Sequence, residues 1–228
     1  SLKETSSTHF FAIFYKSFHL YMKHRGYFLA SVIKRAAMQH EKYLEILLLP
    51  KHIPAPSPPL VLKDLEKRYQ FLMHQATFQQ QVTEALQELT HLQVHARHVL
   101  GCERQPERPA CLVKVSFQYH ALREQPLAQV FAQALQGFLM ASRSRSVVGV
   151  NLVQEEAGQM ALRDYKAHMA VFNYLHHRYP KVPISLHAGE LSRAMAVKHP
   201  AHIREAIEIG HATRIGHGAA LLQEPHYQ

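Results

Sequence analysis

Two histidine-containing clusters follow short apolar runs in the last third of the sequence. His187, Gly189 and Glu190 come directly after the run 182–186, and His217 lies between two glycines after the run 212–215. In a parallel α/β barrel, catalytic side chains gather at the carboxyl ends of the strands. An imidazole three positions before a carboxylate, with a glycine between them, suits a metal ligand beside a general acid. The two clusters therefore predict a site for metal-assisted acid–base chemistry.

Structural roles compete with this interpretation, because the sequence contains 19 histidines. A histidine at a strand end is often only a hydrogen-bonded structural group. The glycines could be ordinary turn residues, and Glu190 could cap a following helix. His211 is interpreted as structural. The pairs His95/His98 and His176/His177 fall in predicted helices and are interpreted as surface residues.

Apolar runs alternate with helical patterns along the chain, which predicts an α/β protein with a parallel sheet. Strands are expected over 43–49, 112–117, 147–153, 182–186 and 213–215. Helices are expected over 10–22, 29–39, 126–140, 162–179 and 201–209, with one long or two shorter helices over 60–100. The proline-dense segment 50–59 predicts a rigid surface loop, which could form part of an active-site rim.

Composition excludes several classes of protein. The formal net charge is +9, but the basic residues are spread along the chain and no nucleic-acid-binding signature is present, so no specific nucleic-acid partner is expected. No apolar stretch reaches the ~20 residues of a membrane span. Cys102 and Cys111 flank a polar stretch and could pair, but they form no Cys-x-x-Cys zinc motif. Any zinc chemistry would therefore use histidine and carboxylate ligands.

The motifs His-Ala-Gly-Glu at 187–190 and Arg-Ile-Gly-His-Gly at 214–218 resemble those of the adenosine deaminase family. The segment Val147–Val153, the pair Glu155-Glu156 and the run Leu-Arg-Asp-Tyr-Lys at 162–166 are similar to the growth-factor-like branch of that family and its bacterial relatives. The resemblance is specific over 147–221 and weaker back to Phe10.

The resemblance implies a (β/α)8 TIM-type barrel, which needs eight strands. The predicted strands match the second to sixth of that pattern. The sequence 1–228 is therefore expected to form a single partial barrel domain and to be a middle section of a longer protein.

The resemblance also implies a role for each site residue. His187 would be a ligand of one Zn²⁺, Glu190 would protonate the purine ring, and His217 would orient the attacking water and take its proton. Gly189 would let the backbone approach the substrate closely. Many family members carry glycine at the position of Gln154, where the backbone amide contacts the purine, so the glutamine is a departure that could crowd the pocket or alter substrate preference.

Two further departures concern the metal. The family takes two zinc ligands from a His-x-His motif on the first strand and uses an Asp-Asp pair on the last strand, and this sequence contains neither. The isolated segment 1–228 is therefore expected to hold zinc poorly and to be inactive.

The expected activity of the intact protein is zinc-dependent hydrolysis of adenosine or deoxyadenosine to inosine or deoxyinosine plus ammonia. The alternatives are a deaminase of a related aminopurine (adenine, a nucleotide or a modified adenosine) and an inactive purine-binding barrel. The partner would be a small purine nucleoside, with a homodimer as a further expectation. The resemblance favours an exported protein, but the sequence carries no targeting signal that decides the compartment.

Overall fold

The computed structural model describes residues 6–54 and 64–225, which form an α/β structure. The helices are α1 (Ser6–Lys23), α2 (Arg25–Met38), α3 (Leu65–His74), α4 (Ala76–Val99), α5 (Pro109–Leu112), α6 (Leu127–Arg143), α7 (Gln159–Arg163), α8 (Tyr165–Arg178), α9 (Arg193–Lys198) and α10 (His202–Glu208). A short 3-10 helix covers Leu221–Gln223.

The described strands form two small sheets. The strands are β1 (Tyr43–Leu48), β2 (Lys114–Leu122), β3 (Val147–Val153), β4 (Ser185–Ala188) and β5 (Arg214–His217). The first sheet has the order β1-β2-β3 and the second the order β4-β5. The pairs β2–β3 and β4–β5 are parallel, and one parallel bridge joins Val150 to Ile184. Because parallel strands need helical crossovers, helices alternate with the strands along the chain.

The chain divides into two compact units. The first comprises residues 1–44 and 87–115 and is built largely from helices. Gly26 in α2 allows a close approach to α4, since a Cβ there would lie 2.4 Å from Nδ1 of His95. The side chain of Arg25 is buried in an ion pair with Glu88. These contacts join α2 to the second half of α4.

A disulfide links Cys102 to Cys111 within the first unit. The sequence left open whether these two cysteines pair, and the structure shows that they do. A disulfide is typical of proteins that fold in an oxidising compartment. No helix among residues 6–54 and 64–225 is long and apolar enough to cross a membrane.

The second unit comprises residues 45–86 and 116–228 and contains the predicted site residues. Its central helix is α6, whose residues from Ala128 to Met140 are all buried. The helix packs against β3 and α8, with the ring of Phe138 6.1 Å from that of Phe172. Burying an aromatic side chain of this size stabilises the fold by about 1.5–3 kcal/mol. This packing holds β3, one of the three strands whose carboxyl ends carry the predicted site residues.

The structure confirms most predicted elements and corrects several boundaries. The region 60–100 forms two helices in its described part, since Gln75 has extended backbone between α3 and α4. The predicted helix 162–179 divides at Asp164 into α7 and α8. The strand predicted over 112–117 runs instead from Lys114 to Leu122, and the strand predicted over 182–186 begins only at Ser185. The proline-dense segment 50–59 lies partly outside the described residues.

The parallel strands and their helices are consistent with part of a TIM-type fold, but the described strands do not close a barrel. The assignment of the strands as second to sixth, and of 1–228 as a single partial barrel domain, stays a prediction. The strands do place their carboxyl ends at one edge of each parallel pair, as a barrel of this kind requires.

His168 makes the stability of the second unit sensitive to acid. It is fully buried in α8, and neither ring nitrogen has a hydrogen-bond partner among the described residues. Burial lowers the pKa of His168 from 6.5 to about 4, against a smaller opposing effect of Asp164. Between these values the unfolded chain binds more protons than the folded one, so the free energy of unfolding falls as the pH falls. We expect a loss of roughly 3 kcal/mol across this window from His168.

The variant His168→Leu tests this expectation by denaturant unfolding at pH 7 and pH 5. We expect it to raise the free energy of unfolding at pH 7 by about 1 kcal/mol, because an unsatisfied polar ring is removed, and to flatten the pH dependence. His177→Leu, on the exposed face of the same helix, is the control and should leave the slope unchanged. An equal slope in wild type and His168→Leu would show that His168 does not carry the effect.

Candidate active site

The predicted site residues lie at the carboxyl ends of β3, β4 and β5. His187 pairs with Gly216 and Ala188 with His217 in the register of β4 and β5. This register brings the two imidazoles together, with ring centroids 5.0 Å apart and an interplanar angle of 62°. A Cβ on Gly216 would lie 3.3 Å from the ring of His187, so this glycine leaves room for the imidazole.

Glu190 completes the cluster beyond the end of β4. Its Oε1 lies 3.6 Å from Nε2 of His217, and its side chain is 32% exposed. His217 is 40% exposed and has a positive φ of 69°, which a non-glycine residue rarely adopts. Both side chains are thus accessible to a ligand. The structure brings His187, Glu190 and His217 into one group.

A chain of hydrogen bonds orients the imidazole of His187. Its Nδ1 lies 2.9 Å from Oδ1 of Asn151 on the neighbouring strand. The amide of Asn151 in turn donates from Nδ2 to Oε1 of Gln118, at 3.0 Å, and Gln118 donates to a carboxylate oxygen of Glu45. Because Asn151 presents its oxygen to His187, the imidazole must carry its proton on Nδ1. Nε2 is then left with a lone pair, which a metal ion requires.

His187 is neutral at physiological pH. Burial lowers the pKa of His187 from 6.5 to about 4, with further lowering by His217 and Arg123 and an opposing effect of Glu156. A neutral imidazole is the form that binds metals. Charge state and tautomer therefore both suit a ligand that binds through Nε2.

We expect Asn151→Leu to release the imidazole of His187 into a mixture of tautomers. In the wild type, the ¹⁵N NMR spectrum should show a protonated Nδ1 and an unprotonated Nε2 at neutral pH, because Asn151 accepts the Nδ1 proton. Loss of this buried acceptor should also cost about 1–3 kcal/mol of stability. An unchanged tautomer in a folded Asn151→Leu protein would contradict the assigned role of Asn151.

Arg123 ties three strand ends together. It directly follows β2 and is fully buried. Nε donates to the carbonyl of Gln154 and Nη1 to the carbonyl of His187, both at 2.8 Å. Nη2 lies 3.5 Å from Oε2 of Glu190. The guanidinium therefore supports the ends of β3 and β4 and places a positive charge beside the carboxylate of Glu190.

Gly189 and Gln154 both adopt left-handed backbone conformations. The φ of Gly189 is +74°, and a Cβ there would lie 2.7 Å from Cδ1 of Ile203, so a larger residue would be strained and would displace Ile203. Gln154 has a φ of 84° and keeps the backbone that glycine favours. Its side-chain Oε1 accepts a hydrogen bond from the amide of Glu124 at 2.8 Å. The side-chain oxygen of Gln154 is thus already engaged in a hydrogen bond to the residue that follows Arg123 at the end of β2.

The described residues do not form a complete metal centre. Within 6–54 and 64–225, no three His, Cys, Asp or Glu side chains are grouped so that they could hold a metal ion. The other histidine pairs are elsewhere: His95 and His98 are exposed on α4, while His176 stacks on His211, with ring centroids 4.2 Å apart. Nε2 of His211 lies 2.7 Å from Oδ1 of Asn173, which agrees with a structural role.

Sequence reasoning missed Arg123, Asn151 and Glu156 as contributors to the site. The predicted strand 112–117 ends well before Arg123, whereas the observed strand β2 reaches Leu122 and places Arg123 at its carboxyl end. A buried strand that ends in an arginine is the signal that would have identified it. The alternative that Glu190 caps a helix is wrong, since Ser192 caps α9 by accepting from the amide of Met195.

The adenosine deaminase family model matches residues 3–227, nearly the whole chain. No curated protein sequence matches the chain. The matched range includes the motifs at 187–190 and 214–218 and the strand Val147–Val153. These three segments carry the proposed site residues. The chain therefore belongs to the adenosine deaminase family.

Proposed function

We propose that the protein hydrolyses adenosine or deoxyadenosine to inosine or deoxyinosine and ammonia, in a zinc-dependent reaction. Membership of the family supports deaminase activity in general. The observation that carries the finer proposal is the grouping of His187, Glu190 and His217, with the two imidazoles 5.0 Å apart and Glu190 3.6 Å from His217.

The reaction needs a nucleophile and a proton donor on the purine. A water oxygen bonds to the carbon that carries the amino group, and the adjacent ring nitrogen takes a proton from an acid. The amino group then takes the proton lost by the water and leaves as ammonia, while the new hydroxyl group returns a proton to the acid and becomes a carbonyl. Glu190 would deliver the proton to the ring nitrogen, and His217 would accept the proton of the water. Their partial exposure leaves room for a substrate between them and solvent.

His187 would be one ligand of the zinc ion. Its neutral state and its free Nε2 suit that role, and the hydrogen bond from Nδ1 to Asn151 is typical of metal-binding histidines. When bound in such a site, zinc lowers the pKa of water to about 7. A catalytic zinc needs about three protein ligands. The described residues do not supply that set, so the proposal requires further ligands.

Gly189 and Gln154 would contact the purine. Both positions have the left-handed backbone that glycine favours. Gln154 would act with its backbone amide, as a glycine does, because its side-chain oxygen already accepts from Glu124. The side chain is therefore expected to narrow substrate choice without blocking the site.

Turnover of a substrate panel by the full-length protein tests the proposal. Adenosine, deoxyadenosine, adenine, adenosine monophosphate and N6-methyladenosine would be incubated with zinc-loaded and chelator-treated protein. The released amine would be measured, as ammonia for the first four compounds and as methylamine for N6-methyladenosine. We expect release from the two nucleosides and its loss on chelation, with recovery when zinc is returned. Preference for another member of the panel would identify a related aminopurine deaminase, and binding without release would identify an inactive purine-binding protein.

A further inference from the structure

A second buried carboxylate, Glu156, lies directly behind the proposed site. Its side chain follows β3 and is only 1% exposed. Oε2 accepts a hydrogen bond from the backbone amide of Glu190 at 2.6 Å, and Oε1 accepts one from the amide of Gly189 at 3.1 Å. Glu156 therefore holds the two peptide groups that immediately precede the side chain of Glu190.

Two successive N–H groups directed at one anion form a compact anion-binding concavity of the backbone. The left-handed conformation of Gly189 is what turns its amide and the next one toward the same carboxylate. In this protein the anion belongs to the chain itself. The position of Cα in Glu190, and hence the direction of its side chain, depends on this contact.

The carboxylate of Glu156 is held from behind by His202. Nδ1 of His202 lies 2.8 Å from Oε1 of Glu156, and its ring stacks on Tyr165 with centroids 3.6 Å apart and planes 1° from parallel. The hydroxyl of Tyr165 donates to the carbonyl of His202. This stack fixes the imidazole of His202. The carboxylate of Glu156 is therefore held by its hydrogen bonds and by the packing of His202 against Tyr165.

The charges around Glu156 favour its ionised form. Burial by itself would raise the pKa of Glu156, but the hydrogen bond from His202, the charge of Arg123 and the amide of Glu190 together hold the pKa below its ordinary value. A carboxylate can accept from all three donors at once, whereas an amide cannot, because one of its two polar atoms is itself a donor.

We propose that Glu156 is a positioning residue, which sets the direction of Glu190 by anchoring the amides of residues 189 and 190. The kinetic consequence rests on the proposed deaminase function, but the structural consequence does not. In Glu156→Gln, at least one of the three donors loses its acceptor and the segment after β4 is released. A displacement of about 1 Å at a catalytic group can lower the rate about 100-fold.

The experiment combines hydrogen exchange of the segment 185–192 with steady-state kinetics on the full-length protein. For Glu156→Gln we expect exchange at residues 189 and 190 to be at least about tenfold faster, since a restraining acceptor is lost. We expect kcat to fall by about 10- to 100-fold, with KM changed by less than about threefold. Glu156→Asp, which keeps the charge but shortens the side chain, should give an intermediate effect and serves if the glutamine variant does not fold.

Glu66→Gln is the control. Glu66 also accepts from two donors, the hydroxyl of Tyr174 at 2.8 Å and the guanidinium of Arg178, but these lie between α3 and α8. Its substitution should leave exchange at 189 and 190 and kcat unchanged. Unaltered exchange and kcat in folded Glu156→Gln, or equal effects in the control, would overturn the proposal. If no variant and no wild type releases ammonia, the deaminase proposal fails while the exchange result still decides the role of Glu156.

Discussion

Replacing Glu190 by glutamine is expected to lower kcat for adenosine by about 10²–10⁴-fold, the usual contribution of a positioned general acid. Glutamine preserves the size of the side chain but cannot transfer a carboxyl proton to the purine ring. Its backbone amide can still donate to Glu156, so the fold should be unaffected. The measurement is the steady-state rate of inosine formation, with purine affinity determined separately for both proteins.

Glu208→Gln provides the control for this experiment. Glu208 is 65% exposed at the end of α10, where it pairs with Arg204, and it contacts none of the proposed catalytic side chains. Its substitution should leave the rate unchanged. A Glu190→Gln enzyme that retained the wild-type rate within about threefold would remove Glu190 from the role of proton donor.

Replacing Arg123 by methionine is expected to have the largest effect on stability. The change removes two hydrogen bonds to strand-end carbonyls and the positive charge next to Glu190 and Glu156. Removing one partner from a buried charge network costs about 3–5 kcal/mol, because the remaining charge stays buried without compensation. In a protein of this size that loss lowers Tm by roughly 6–20 °C.

Thermal and denaturant unfolding of Arg123→Met, Arg123→Lys and Arg178→Met would test this expectation. Lysine keeps the charge but cannot reach both carbonyls with a planar fork, so an intermediate loss is expected. Arg178 is a partly exposed arginine between the rings of Tyr69 and Tyr174, and its loss should cost only about 1 kcal/mol. Equal midpoints for Arg123→Met and wild type would contradict the role of Arg123 as the link between strand ends.

The sequence predicted those helices and strands whose apolar residues follow a regular pattern along the chain. Val147–Val153 is a continuous apolar run apart from Asn151, and it forms a strand with the predicted bounds. β2 was predicted too short because Gln118 and His120 interrupt its apolar pattern. The interior of this sheet carries polar side chains that bond to one another, so alternation of apolar residues is a poor guide there. Helix α9 was not predicted, since it is only six residues long.

In the candidate site, too, the residues with a local sequence pattern were predicted and those without one were not. His187, Glu190 and His217 were identified because each belongs to a short glycine-containing motif after an apolar run, a pattern that is visible in the sequence. Arg123 and Glu156 act through partners 31 to 64 residues away in the chain, and no local pattern records such contacts. Their roles emerged only when the strand ends were placed side by side.

The most direct test of the account is the conversion of adenosine by zinc-loaded full-length protein in water enriched in oxygen-18. Hydrolytic deamination at the proposed site predicts inosine that carries one labelled oxygen on the ring carbon that lost its amino group, and an equal amount of ammonia. A folded, zinc-loaded protein that forms no inosine, or forms inosine without the label, would contradict the account.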